Sequence, residues 1–146
     1  MKLDMRIADA GWNVLDGLEA ICLRALEAGA RIGGTEGEIS LLLTGDDEVQ
    51  TLNRDWRGKD TPTDVLSFEA SQEDRPFLGD IAVSYGVASR DAIENNIALD
   101  QHLSHLLIHA YLHLIGYDHI EDTEAVKMEA LEVAALASLG WPDPYK

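Results

Sequence analysis

Residues 100–119 read DQHLSHLLIHAYLHLIGYDH and contain all five histidines of the chain. Residues 100–115 have apolar side chains at helical spacing, and Gly116 follows as a stop, so this stretch is expected to be a helix ending in a turn. Downstream, residues 121–139 predict a second helix, opened by Asp122 or Thr123 as N-cap and closed by Gly140 with Pro142 beyond it. Upstream, residues 85–96 predict a third. Further back the periodicity changes. Residues 65–68 and 81–83 are strand candidates, separated by a polar stretch carrying Pro76 and Gly79. Residues 39–43 form a short apolar run before Thr44, Gly45 and Asp46, a strand ending in a turn, and residues 46–55 suggest a short helix. Residues 12–28 place Trp12, Leu15, Leu18, Cys22, Ala25 and Leu26 at helical spacing, with Gly29 as the expected stop. Residues 3–7 supply a fourth strand candidate. Strands gathered early and helices gathered late predict an α+β fold: a small mixed sheet of three to four strands flanked by about five helices. The metal site would lie on a helix and the turn after it. No repeat, linker or low-complexity tract divides the chain, so residues 1–146 are read as a single domain.

The histidine spacing carries the chemistry. His109 and His113 are four residues apart, so on a helix their side chains leave one face about 5.4 Å apart along the axis. Two imidazoles so placed can converge on one ion with Zn–N bonds of about 2.0–2.1 Å. His105 is also four residues from His109, but eight residues separate it from His113, about 12 Å along a straight helix. His105 and His113 cannot both reach the same ion. The third ligand must come from chain that has left the helix. Gly116 permits that turn, and His119, three residues later, can face the earlier pair. Three protein ligands leave a fourth position for water, as in catalytic rather than structural zinc sites. Imidazole ligands suit one zinc ion, and also other divalent transition metals. His102 and His105 are expected to pack or to support the ligands.

In the His-Glu-x-x-His metalloproteases a glutamate follows the first ligand and acts as the base. Here that position is Ala110, which disfavours a peptidase of that type. Asp118 is the nearest carboxylate, either orienting a ligand's other N–H or transferring a proton.

Bulk properties set limits. Eleven Lys and Arg against 27 Asp and Glu give a net charge of −16, which on average repels a phosphate backbone. An RNA substrate would need cationic residues gathered locally, or bound metal to offset the repulsion. The lone Cys22 cannot form an intramolecular disulfide, and the expected setting is a reducing cytoplasm. The amino end lacks the apolar core of a signal peptide, and no run approaches the roughly 18 apolar residues needed to span a membrane.

The string from His109 through His113 and Gly116 to Asp118 and His119 resembles the signature of the YbeY family of bacterial metal-dependent endoribonucleases. That family usually has glycine where this chain has Ala110, a mild departure on a helix. Leu52 and Asn53, then Trp56-Arg57-Gly58-Lys59, then Pro62-Thr63-Asp64-Val65-Leu66-Ser67-Phe68 are similar to the family's central block. Leu78-Gly79-Asp80-Ile81, Met128-Glu129-Ala130-Leu131-Glu132 and the closing Leu139-Gly140 with Asp143-Pro144-Tyr145 resemble later blocks, so the likeness runs over about residues 38–146.

The resemblance implies an α+β fold and one zinc ion held by His109, His113 and His119. It also implies an endoribonuclease of single-stranded RNA, acting in maturation of the ribosomal RNA (the 16S 3′ end) and in ribosome quality control, with ribosomal or assembly proteins as partners. Arg57 is then implied to contribute to activity, and a planar guanidinium suits the task because it can grip two phosphate oxygens. Arg54, Arg57 and Lys59 supply the local positive charge an acidic protein needs, with Arg54 and Lys59 otherwise expected as a solvated loop beside Arg57, and Trp56 or Tyr117 could stack on bases. Zinc would act on water or on a phosphoryl oxygen, and either water or the substrate's 2′-hydroxyl could attack. Two alternatives are a ribosome-assembly binding factor with a mainly structural zinc, and a zinc hydrolase of another substrate.

Overall fold

The computed structural model describes residues 1–118 and 120–146. Four strands form one mixed sheet, β1 (Lys2–Ile7), β2 (Glu38–Thr44), β3 (Val65–Glu69) and β4 (Phe77–Ser84), in the order β1-β2-β4-β3. The first three in that order run parallel, and β3 lies antiparallel to β4 at one edge. Among the described residues five α-helices accompany the sheet: α1 (Leu18–Gly33), α2 (Asp46–Arg57), α3 (Tyr85–Glu94), α4 (Leu99–Leu114) and α5 (Asp122–Ser138). This is the α+β class expected from the sequence. Among the described residues no helix is long and apolar enough to cross a membrane.

Period-two alternation decides which side of the sheet carries the core. In register, Leu3 pairs with Ile39, Met5 with Leu41, Leu41 with Ile81 and Leu43 with Val83. These odd-numbered side chains join the core, because successive residues of a strand point to opposite faces. The even-numbered Asp4, Arg6, Ser40 and Asp80 border a hollow on the other side, together with Leu52 and Trp56 of α2. Within the core, α4 packs along α1 and against β3. Leu103, Leu107, Ile108, Tyr111 and Leu112 of α4 are fully buried, each such side chain contributing roughly 1.5–3 kcal/mol from burial.

The boundaries depart from the sequence reading in instructive ways. The helix expected over residues 12–28 is divided. Residues Ala10–Val14 form a 3-10 turn whose Trp12 indole N–H donates to the Thr44 carbonyl at 3.0 Å, and α1 begins only at Leu18. Gly29, expected as a stop, lies inside α1. A Cβ there would sit 3.4 Å from Tyr111, at ordinary van der Waals contact, so the position marks where α1 packs against α4 and not where the helix ends. The stop falls at Gly34, at φ 82°. Strand β4 starts at Phe77, inside the stretch expected to be a polar connection, because its backbone already pairs with β2 there. Helix α5 begins at Asp122 with Glu121 at the N-cap and no side-chain capping bond, so neither Asp122 nor Thr123 serves as the cap.

Candidate metal centre and its cleft

Four histidines, His102, His105, His109 and His113, follow one face of α4 and line a cavity of about 980 Å³ between α4, β3 and the end of α2. The helix carries them there because residues spaced three and four apart share a face, while the opposite face is taken by the core. The Nδ1 of His113 lies 3.0 Å from the Tyr117 carbonyl. A carbonyl can only accept, so Nδ1 bears the proton. The Nδ1 of His109 lies 2.8 Å from Glu132 Oε2 and, facing a carboxylate, is protonated too. The Nε2 atoms of the two rings then approach each other at 3.1 Å, with ring centroids 4.6 Å apart and planes at 84°.

That arrangement is a test of fit for a metal. Two protonated Nδ1 positions put an electron pair on each facing Nε2, and two electron pairs at this distance repel unless something positive lies between them. A tetrahedral ion with Zn–N bonds of about 2.0–2.1 Å holds its nitrogens about 3.3 Å apart. The pair matches that spacing. His119, the third ligand expected from the sequence, lies outside the described residues. The turn toward it is provided by Gly116, at φ 106°, a conformation glycine adopts without steric cost.

Glu132 of α5 is the residue that organises the pair, and sequence reasoning gave it no role. It is 1% exposed and accepts three hydrogen bonds: from His105 Nε2 at 2.6 Å, from His109 Nδ1 at 2.8 Å and from the Tyr145 hydroxyl at 2.5 Å. Burial pushes its carboxyl up, but the three donors outweigh burial and hold it down at about 2. Burial and the Glu132 carboxylate push the Tyr145 hydroxyl up in turn. A charged carboxylate behind a ligand's N–H fixes ring orientation and raises the basicity of the other nitrogen. One signal was present in the sequence: Glu132 stands between Met128 and Ala135, at helical spacing on the buried stripe of α5. A carboxylate there needs buried donors.

Arg57 and Lys59 reach the cavity. The Arg57 Nη2 donates to the Ser67 carbonyl at 2.5 Å, and its guanidinium lies 5.5 Å from the centre of the Phe68 ring. Arg54 does not join them, because it turns to Asp55 at 3.0 Å. The basic patch therefore comprises Arg57 and Lys59, not all three cations. Asp118 borders the cavity and accepts the Ile120 backbone N–H at 3.2 Å. Tyr117 lines the cavity with Lys127 5.7 Å from its ring. Trp56 does not line it; it is 72% exposed and borders the hollow on the other side of the sheet. The expectation that Trp56 could stack on a substrate here is corrected: the turn of α2 that aims Arg57 at the cavity aims its neighbour away.

A second group capable of holding a metal was not foreseen. One ring nitrogen of His102 and one carboxylate oxygen each of Asp64 and Asp91 lie within 4.8 Å of one another.

Comparison with known proteins gives these features a context. The family model described as endoribonuclease YbeY matches residues 13–140. The chain is similar to an endoribonuclease YbeY of Rhodopseudomonas palustris (strain BisB18), at 48% identity over 95% of this chain and 88% of that one. It is also similar to an endoribonuclease YbeY of Allorhizobium ampelinum, at 43% identity over 99% and 95% of the two chains. Among solved structures, the solution structure of TM1509 from Thermotoga maritima superposes with a TM-score of 0.60, at 26% identity and 99% coverage of both chains. A family model spanning most of the chain and relatives alike over nearly its whole length lead to one conclusion. The chain belongs to the YbeY endoribonuclease family.

Proposed function

We propose that the chain is a zinc-dependent endoribonuclease of single-stranded RNA, acting in the cytoplasm on ribosomal RNA at the 16S 3′ end and in ribosome quality control. One observation carries the metal dependence: the 3.1 Å approach of His109 Nε2 and His113 Nε2, each ring held from behind by an acceptor at Nδ1. His109, His113 and His119 would hold the ion. When bound, it supplies Lewis acidity and lowers the pKa of water in its reach.

The remaining work falls to the chain's own side chains. Arg57 stands at the cavity with its guanidinium braced by the Ser67 carbonyl and the Phe68 ring, so its outer N–H groups can grip phosphate oxygens and stabilise charge that grows during cleavage. Lys59 adds a second positive charge there. Together they answer, locally, the repulsion that a net −16 protein presents to RNA. Glu132 keeps His109 in the tautomer that offers Nε2. Asp118, through the Ile120 N–H, steadies the turn that follows α4; that is an orienting role. Single-stranded RNA suits the cavity because a flexible strand can bend into it, with Tyr117 available for stacking.

The test pairs metal analysis with cleavage. Purified protein should contain one zinc per chain and cleave single-stranded ribosomal RNA fragments, and chelation should stop cleavage. His113→Ala should lose both zinc and cleavage. Cleavage that persists in metal-free protein would sink the proposal. The product ends report the nucleophile: a 2′,3′-cyclic phosphate marks attack by the substrate's own hydroxyl.

A further inference from the structure

We propose that Asp64, Asp91 and His102 form a second divalent-cation site, of the manganese or magnesium class, beside the cleft that holds the histidine pair. The three ligands come from three elements: Asp64 from the loop entering β3, Asp91 from α3 and His102 from the first turn of α4. Their donor atoms lie within 4.8 Å of one another. An octahedral ion with bonds of about 2.1 Å spaces its ligands about 3.0 Å apart when adjacent and about 4.2 Å when opposite. Closing from the observed spacing therefore needs shifts of about 1 Å or less.

Two independent features favour a cation. His102 is 9% exposed, and among the described residues its buried Nε2 meets no hydrogen-bond partner, a costly condition for a polar atom unless a ligand completes the surroundings. Two carboxylates are also brought together without a counter-charge. Neither Asp64 nor Asp91 pairs with a lysine or arginine among the described residues, and Arg90, next to Asp91, is turned to Asp46 at 3.0 Å. A divalent cation between them would supply that counter-charge. Protonated His102 is the competing answer. Burial pushes that ring below its ordinary value, with nearby His105 acting in the same direction against the pull of Asp64 and Asp91, which disfavours the charged form. Asp64 is already fixed in place: its side chain accepts the Val65 N–H at 2.7 Å, and its backbone carbonyl accepts the Ser84 N–H at 2.9 Å.

Two oxygens and one nitrogen suit a harder ion than the histidine pair does. His102 and His109 are seven residues apart on α4, about 10.5 Å along the axis, so the ion would not share a bridging ligand with the first. Asp64 and His102 both border the cavity. A cation there would neutralise acidic groups at one end of the cleft and receive a phosphate further along a bound strand. That use rests on the nuclease reading; the site itself does not.

The experiment uses zinc-loaded full-length protein titrated with Mn²⁺, because zinc holds imidazole ligands more tightly than manganese and keeps the first site filled. The His102 ring resonances should broaden at about one equivalent of Mn²⁺. Asp91→Asn should weaken that binding at least tenfold while zinc content stays at one per chain and the melting temperature is retained. His102→Gln should weaken it similarly, an independent check. A His102 ring left sharp by Mn²⁺, or Asp91→Asn binding Mn²⁺ as tightly as the parent chain, would overturn the site. Loss of RNA cleavage in the zinc-loaded parent would bear on the nuclease reading alone.

Discussion

The two faces of α4 are built from the same sixteen-residue segment and held by different physics. On the side facing α1 and the sheet, Leu103, Leu107, Ile108 and Tyr111 are sealed in the core, and the only polar atom of the four side chains, the Tyr111 hydroxyl, donates to the Thr35 carbonyl at 2.8 Å. Packing there is dense and weakly directional: any apolar group of the right volume can serve. On the cleft side His105, His109 and His113 are partly open to solvent and aimed by hydrogen bonds, among them those to Glu132 and the Tyr117 carbonyl. Their positions depend on hydrogen-bond direction more than on volume. The lesson is that one face of this helix sets whether the protein folds and the other sets what it can bind, so substitutions should separate the two properties.

The largest effect is expected on the core face. Leu107→Ala should destabilise the chain by about 2–5 kcal/mol, read by chemical denaturation, while the folded fraction keeps its zinc. Loss of zinc from folded Leu107→Ala protein would break the separation. On the cleft side, Arg57→Ala should lower RNA cleavage by about 10²- to 10³-fold with zinc content and denaturation midpoint little changed; an unaltered rate would remove Arg57 from the chemistry.

Glu132→Gln sharpens the comparison from the supporting shell. An amide offers one acceptor oxygen where the carboxylate now accepts three donors, and its NH₂ would confront a ring N–H. Zinc affinity should fall about 10- to 100-fold, measured by competition with a chromophoric chelator. Affinity unchanged from the parent would mean that Glu132 does not orient His109. The smallest effect concerns Cys22, sealed in α1. Burial, with Glu19 adding to it, pushes its thiol up to about 12. A thiol reagent at pH 8 should leave the folded chain unmodified and label it on denaturation. As pH rises above about 9, the unfolded chain ionises this thiol and the folded chain does not, so Cys22 withdraws stability in the alkaline range only. Rapid labelling of native protein would show the core face to be less closed than its burial indicates.

How much of this was legible in the sequence depends on the distance over which each feature is encoded. The spacing of His109 and His113 is local, so the helix and the meeting of the two rings could be worked out from four residues of separation and the helical repeat. Strand alternation was equally readable in residues 39–43. The start of α1 was not, because what holds Trp12 in a 3-10 turn is the Thr44 carbonyl, 32 residues away. Gly29 reads as punctuation, yet α1 runs on through it to Gly33, because the packing of α1 on α4 that holds the helix there is not encoded locally. Trp56 and Arg57 were grouped as neighbours, although consecutive helical positions point in different directions.

The sequence by itself determined the α+β class, the helix that carries the histidines and the convergence of two of them, because those follow from periodicities a few residues long. Only the tertiary structure decided that Glu132 stands behind His105 and His109, 27 and 23 residues distant, and that Asp64 and Asp91 are gathered beside His102. The physical reason is that such pairings are fixed by how separate elements pack over a shared core, and no local repeat encodes where a distant carboxylate will come to rest.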